Sequence, residues 1–248
     1  MVLFLFLRLF FLVSICIICL SFHYSQVVRN KFSLRAQNAP MKLLYVVEPS
    51  PFSYISGYKN RFQELFRCLN NTGDSVEIFS PEESPLQERK FLNFPVHGLS
   101  GFPLPMYRDV KITSLSLSNF RIIENVIKSF QPTLIHITVP SLCVLPSIKA
   151  ALRNQIPVVL SYHTDILKYA DSYLPFPGIC KNILKNLYLK PLFHSSNLNL
   201  VTSPQLQENL CRLGVCNAQV WQKGINTQVT KKLLSSQFYN FSRLDFFS

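Results

Sequence analysis

Three residues that can share protons or form hydrogen bonds follow one another at His163, Thr164 and Asp165. They come directly after residues 158–162, an apolar run with the length and composition of a buried strand. Ligands of open α/β sheets bind at the carboxyl ends of the strands. The order of these residues therefore predicts a ligand site, with His163 and Asp165 as candidate catalytic residues and Thr164 beside them.

The second candidate site is the loop at 48–62, directly after the first apolar run of the chain body. Pro49 and Pro51 disfavour a helix in the loop. Ser56 is suited to cap a helix that starts near Gly57. The first N–H groups of such a helix attract anions, and a glycine lets the backbone approach a ligand closely. We therefore expect Ser56 and Gly57 to bind a phosphate group.

Lys59 and Arg61 lie in the first turn of that predicted helix, where the helix dipole disfavours cations. An anion docked beside them explains this placement, and the alternative is a pair of solvated surface cations. The chain contains neither a G-x-G-x-x-G fingerprint nor a P-loop. A phosphate would therefore be bound without either motif.

Composition limits the class of protein. Apolar residues make up 48% of the 248 residues and charged residues 15%, which excludes intrinsic disorder, collagen and coiled coil. The formal net charge of +12 suits anionic lipids, sugar phosphates or nucleic acid. Nucleic acid is not expected, because the chain has no dense basic stripe, zinc-finger spacing or RNP motif. The scattered cysteines of the body are interpreted as buried and reduced.

The chain body alternates short apolar runs with helical patterns, which predicts a doubly wound parallel α/β sheet with helices on both faces. We predict strands at 41–47, 75–79, 134–139, 158–162, 198–202 and 218–221, and helices at 58–69, 119–130, 142–153, 182–193 and 204–213. His136 falls inside a strand and is interpreted as a core residue. Residues 82–108 are expected to be irregular. The 182–193 helix is basic and amphipathic, so it would lie either on an anionic membrane or in the core with a charged outer face.

Residues 1–40 are predicted to be a leader. Residues 1–20 are almost wholly apolar, as in a signal peptide or an uncleaved anchor. Residues 22–40 are basic and free of acid, as in a transit peptide. The pair resembles the bipartite leaders of plastids acquired by secondary endosymbiosis, which implies a plastid membrane. The alternative is an anchor in the endomembrane system with a basic stalk.

Five segments carry a resemblance to a known family. They are VEPSPFSYISGYKNRF (47–62), PTLIHITVP (132–140), SYHTDILKY (161–169), VTSPQLQENLCRLGV (201–215) and VWQKGIN (220–226). Together they resemble the N-terminal half of retaining GT-B glycosyltransferases, in particular the sulfolipid synthase branch. The SYHTD-type segment is shared with related mannosyltransferases.

The resemblance implies a Rossmann-like N-terminal domain at 41–226 that shapes the acceptor side of the active site. It implies transfer of sulfoquinovose from a UDP-sugar donor to diacylglycerol or another lipid acceptor, at an anionic membrane, with no cofactor and no required metal. Gly57 would lie under the donor phosphate and His163 would reach the transferred sugar. We place Tyr54 and Thr164 on the acceptor side.

The sequence departs from the family at Asn226, where an aspartate is usual, and at residues 227–248, which form a divergent tail. We expect the second, nucleotide-binding domain to be absent from this chain. One hypothesis is a glycosyltransferase recorded as a truncated chain. Another is a non-catalytic, membrane-docked acceptor-binding module or a decayed paralogue. A third is a carbohydrate hydrolase that uses Glu48 and Asp165 as paired carboxylates.

Overall fold

The apolar run near residue 41 forms the central strand of the sheet. The computed structural model describes residues 40–52, 57–81, 89–103, 110–173 and 176–221, and this strand, β1, spans Lys42–Val46. From Leu43 onward its side chains are buried, because helices cover both faces of the sheet.

The other elements in the described residues follow in chain order. The strands are β2 (Ser75–Pro81), β3 (Arg89–Phe91), β4 (Phe94–Leu99), β5 (Gly101–Pro103), β6 (Lys111–Thr113), β7 (Leu134–Val139), β8 (Val158–Tyr162), β9 (Leu198–Val201) and β10 (Ala218–Val220). The helices are α1 (Gly57–Leu69), α2 (Leu117–Phe130), α3 (Val144–Arg153), α4 (Ile166–Tyr173), α5 (Pro177–Ile183), a π-helical segment (Leu184–Leu189), α6 (Lys190–His194) and α7 (Pro204–Arg212).

The main sheet has the strand order β10-β9-β8-β7-β1-β2-β4-β3, and β5 and β6 form a separate two-stranded sheet. Every pairing in the main sheet is parallel except that of β3 with β4. The predicted fold class, a doubly wound parallel α/β sheet, is confirmed. The chain runs outward from β1 in both directions, so the boundary between β1 and β7 is the switch point where ligands bind in such sheets.

The side chains of β1 point alternately to the two faces of the sheet and belong to two separate hydrophobic cores. Leu43 and Tyr45 pack with Phe62 and Phe66 of α1 on one face. On the other face, Leu44 and Val46 belong to the core that contains the buried residues of α2 and α3. The α1 face also carries polar residues near the switch point, and these form the candidate site.

The prediction of an irregular segment at 82–108 was wrong for residues 89–103, which form β3, β4 and β5. Pro95 lies within β4, although proline is disfavoured inside a sheet. It is tolerated because the ladder between β4 and β2 begins only at Val96, so that proline faces the short antiparallel strand β3 alone.

The basic helix predicted at 182–193 begins earlier, at Pro177, and contains the π-helical segment before it ends at His194. Leu184, Leu189, Leu192 and Phe193 are buried, whereas Ile179 in the first turn is exposed. Of the two interpretations, the structure supports a core helix with a charged outer face.

Candidate active site

The N-terminus of α1 lies over the switch point. The hydroxyl of Tyr58, in the first turn of α1, donates a 2.9 Å hydrogen bond to the carbonyl oxygen of Glu48, just beyond β1. The first turn of α1 is thereby fixed at the carboxyl edge of the sheet. Gly57, the first residue of α1, is exposed at this edge. Tyr54 and Ser56 lie outside the described residues, so their predicted roles stay predictions.

His163 lies directly after β8 and is half-buried against aromatic rings. Its ring centroid is 5.2 Å from that of Tyr58, 5.4 Å from that of Phe62 and 5.8 Å from that of Trp221. The structure therefore brings His163 and the start of α1 to one place, although they are about a hundred residues apart in sequence.

A buried serine connects His163 to the interior. Ser161 of β8 is fully buried, and its Oγ lies 3.0 Å from Nε2 of His163 and 2.8 Å from Nε2 of His136. Burial, together with the nearby charge of Arg61, lowers the pKa of His136 to about 3, so His136 is neutral at physiological pH. His136 is a buried residue, as expected, but it belongs to a polar network that ends at the site.

Arg61 contacts Trp221, the residue directly after β10. Its guanidinium carbon lies 4.0 Å from the centre of the Trp221 ring and it donates a hydrogen bond to the Trp221 carbonyl oxygen. Burial lowers the pKa of Arg61. Arg61 therefore ties the end of β10 to α1, while Lys59 is the half-buried cation in the first turn. The predicted phosphate-binding roles of both residues stay predictions.

Glu48 connects three segments beneath the site. One oxygen of its buried carboxyl accepts a 2.9 Å hydrogen bond from the Thr113 N–H, and the other accepts a 2.7 Å bond from the Ser141 hydroxyl. The Glu48 N–H donates to Thr138 Oγ1 at 2.9 Å. Burial raises the pKa of the Glu48 carboxyl. A carboxyl enclosed in this way cannot flank a glycosidic bond, so the structure contradicts the hydrolase hypothesis.

Asp165 lies at the start of α4 and is half-buried, as is Thr164. The Asp165 carbonyl oxygen accepts hydrogen bonds from the N–H groups of Lys168 and Tyr169, which begins the helix. Its carboxyl oxygens lie 3.4 Å from the Tyr162 hydroxyl and 4.0 Å from the Lys168 ammonium. A carboxylate there is stabilised by the helix dipole. Its predicted catalytic role stays a prediction.

The arrangement suits an anionic ligand with a sugar attached. The exposed N-terminus of α1 can hold a phosphate group, and His163 with its aromatic neighbours lies beside it at the same edge. Among the residues that the structure covers, no three His, Cys, Asp or Glu side chains gather closely enough to hold a metal ion.

Sequence reasoning overlooked the roles of Tyr58, Ser161 and Trp221. Tyr58 was recognised only as part of the apolar face of a helix. Trp221 carries a signal that could have found it, since it is the single tryptophan of the chain. Ser161 has a weaker signal: a hydroxyl two residues before His163 in a strand points to the same face of the sheet.

Together with the matches that follow, the parallel sheet and its ligand edge assign this domain to the GT-B glycosyltransferase type. A solved structure shares the fold: sucrose-phosphate synthase from Thermosynechococcus elongatus has a TM-score of 0.52 and 16% identity, over 76% of this chain and 49% of that chain.

Residues 55–229 match Glycosyltransferase Family 4, and the chain belongs to that family. It is 34% identical over 201 residues to the sulfoquinovosyl transferase SQD2 of Arabidopsis thaliana. That alignment covers 80% of this chain and 38% of the relative. It is 23% identical over 183 residues to a GDP-mannose-dependent alpha-mannosyltransferase of Mycobacterium tuberculosis. This second alignment covers 74% of this chain and 47% of that relative. The chain thus spans less than half the length of these proteins.

Proposed function

We propose that the protein acts in glycosyl transfer, and that it moves sulfoquinovose from UDP-sulfoquinovose to diacylglycerol. The observation that carries this proposal is the 34% identity to a sulfoquinovosyl transferase over 80% of the chain. The placement of His163 beside the start of α1 supports it, since a transferred sugar and its phosphate would meet there.

In this proposal the start of α1 stabilises the leaving diphosphate. A retaining transfer needs charge stabilisation on the leaving group while the acceptor hydroxyl attacks from the same face. Preorganised N–H donors at Gly57 and the next residues, with Lys59 in the same turn, would supply part of it. Arg61 acts indirectly, because its guanidinium is stacked on Trp221 and holds α1 in place.

His163 would contact the sugar itself. Its ring is held edge-on by Tyr58 and Phe62, so it keeps one orientation at the cleft. A positioned imidazole at this point can donate a hydrogen bond to a sugar hydroxyl or accept one from it. No metal ion and no cofactor takes part in the proposed reaction.

A lipid acceptor requires contact with a membrane, and we propose that the α4–α5 surface provides it. Tyr169, Phe176 and Ile179 are large apolar residues there, and Phe176 and Ile179 are 73% and 64% exposed. Lysines on α4 and in the π-helical segment, Lys168 and Lys185, suit anionic headgroups. No helix in the described part of the chain is long and apolar enough to cross a membrane.

We further propose a plastid membrane as the location. Residues 1–39, which carry the signal-like and transit-like features, lie outside the described residues. Fusion of residues 1–40 to a fluorescent protein, expressed in an alga with a secondary plastid, tests the location. Fluorescence in the endoplasmic reticulum alone would favour the endomembrane anchor.

Transfer is tested with the purified full chain, diacylglycerol vesicles and either UDP-sulfoquinovose or GDP-mannose, with lipid products measured by mass spectrometry. A parallel reaction adds the C-terminal half of the Arabidopsis relative. Sulfoquinovosyl diacylglycerol in either reaction supports the proposal, and mannosylated lipid alone would assign the other donor. Vesicle binding without any product in either reaction would favour the non-catalytic, acceptor-binding module.

Membrane contact is tested by flotation with vesicles of phosphatidylglycerol and neutral lipid. A double variant, Phe176→Ser with Ile179→Ser, should lose at least half of the vesicle-bound fraction. Leu117→Ser is the matched control, because Leu117 is equally exposed, at 74%, but lies on α2. Equal loss in the control would show that the effect is not specific to the α4–α5 surface.

A further inference from the structure

The Ser161 hydroxyl lies between two imidazole rings and has one proton. Its Oγ is 2.8 Å from Nε2 of His136 and 3.0 Å from Nε2 of His163, both within hydrogen-bond distance. Both histidines approach it through the same ring atom, and Ser161 itself is fully buried.

These contacts restrict where the protons of the two rings lie. A hydroxyl donates one hydrogen bond and accepts others. If neither Nε2 carried a proton, one of the two contacts would place two lone pairs against each other. If both did, the hydroxyl would accept both bonds, and its own buried proton would have no acceptor among the bonds of the described residues, which costs about 1–3 kcal/mol. The arrangement that satisfies all three groups is the one in which one Nε2 carries a proton and the other accepts from Ser161.

We propose that Ser161 and His136 are positioning residues, which together determine which ring nitrogen of His163 carries its proton. The inference rests on the proposed function in one respect: the proton position decides whether His163 donates to or accepts from the transferred sugar. The coupling of the two rings is a property of the chain itself.

The surroundings keep this coupling simple. His136 stays neutral because of burial and the nearby Arg61, so it exchanges tautomers and does not gain a charge. The titratable and charged groups around the pair include Tyr45 on β1, Tyr58 and Arg61 on α1, and Asp165 two residues beyond His163. When both ring nitrogens of His163 carry protons, its Nε2–H donates to Ser161, and Ser161 then donates to His136 in the arrangement that satisfies all three groups.

Nitrogen-15 NMR of the histidine rings tests the coupling on the full chain, in detergent micelles because residues 1–20 are apolar. In the wild type, His136 and neutral His163 should show opposite Nε2 protonation. The variants are Ser161→Ala and His136→Phe, which keeps a ring against Tyr45 and Trp221. Each should change the tautomer ratio of His163 by about fivefold, as expected for one hydrogen bond.

The double variant gives the decisive comparison, because His136→Phe should have no further effect once Ser161 is alanine. Ser147→Ala, at a buried serine of α3, is the matched control and should leave both rings unchanged. Equal Nε2 protonation of the two rings, or an unchanged His163 ratio in both single variants, would overturn the proposal.

The transfer assay then separates the two ideas. In a wild type that transfers sugar, Ser161→Ala should lower kcat by about tenfold and leave the KM for the donor within about twofold. Wild-type kcat in that variant would overturn the positioning role. Absence of transfer by the wild type, with and without the added C-terminal half, counts against the proposed function alone, because the NMR result decides the coupling by itself.

Discussion

Removal of the Glu48 carboxyl should destabilise the sheet edge far more than its neutralisation. Glu48→Ala leaves the Thr113 N–H and the Ser141 hydroxyl buried without their acceptor. Each such loss costs about 1–3 kcal/mol, and relief of a buried charge offsets part of the sum. We expect a net loss of about 3 kcal/mol in the free energy of unfolding at pH 7. Glu48→Gln keeps an acceptor for Thr113 and should stay within about 1 kcal/mol.

The pH dependence has a definite sign. Burial raises the pKa of Glu48 in the folded state above its value in the unfolded state, so folding favours the protonated carboxyl. The protonated Glu48 carboxyl makes its full contribution to stability below the unfolded-state pKa of about 4.3. This contribution is lost as the pH rises through the raised folded-state pKa. The stability of Glu48→Gln relative to wild type should therefore increase from pH 4 to pH 8.

Urea unfolding followed by the fluorescence of Trp221, the single tryptophan, measures both effects. A loss of about 3 kcal/mol lowers the midpoint by roughly 1–2 M urea for an m-value of about 2 kcal/mol/M. Equal midpoints for the alanine and glutamine variants would refute the assignment of Glu48 as a hydrogen-bonding hub. If the stability of Glu48→Gln relative to wild type decreased from pH 4 to pH 8, the expected direction of the pH dependence would be refuted.

Three further changes test the site and its supports. His163→Ala should lower sugar transfer by about 100-fold while the fold stays intact by circular dichroism, and near-normal turnover would remove His163 from the site. Arg61→Lys loses the planar stack on Trp221, so unfolding should cost about 1–2 kcal/mol less and Trp221 emission should shift to the red; an unchanged spectrum contradicts this. Ser203→Ala removes the side chain that accepts from the Leu206 N–H at the start of α7; thermal unfolding should reveal a loss of about 1 kcal/mol, whereas Ser203→Asp should unfold as the wild type does.

The central strands could be predicted because a strand that is buried on both faces is a continuous apolar run in the sequence. β7 and β8 span the predicted residues without a shift, and β1 differs by one residue at each end. Runs buried on both faces contain little besides apolar residues, and this pattern survives without knowledge of the partners. His163 was placed correctly at the edge of the sheet for the same reason, since it follows the end of a well-marked strand.

Contacts between distant segments could not be predicted. Nothing in the sequence indicates that the Arg61 guanidinium contacts Trp221, 160 residues later in the chain. The bonds from Ser141 and Thr113 to Glu48 cross 93 and 65 residues. In each case the hydrogen-bond partner lies on a segment that comes near only in the folded chain. The spacing of the residues in the sequence does not indicate which segments will meet.

The π-helical segment Leu184–Leu189 makes the chain length in this region unusually strict. A π-helical turn holds one more residue than a regular turn, and here the Lys190 N–H bonds to the carbonyl oxygen of Lys185, five residues back. The Tyr188 hydroxyl within it donates to the Ser141 carbonyl oxygen, next to Glu48. Deletion of one residue would restore a regular helix, but each residue of such a helix turns about 100°. Either α5 or Tyr188 would then face the wrong way, so deletion of one residue between α5 and α6 should disrupt the packing of this segment.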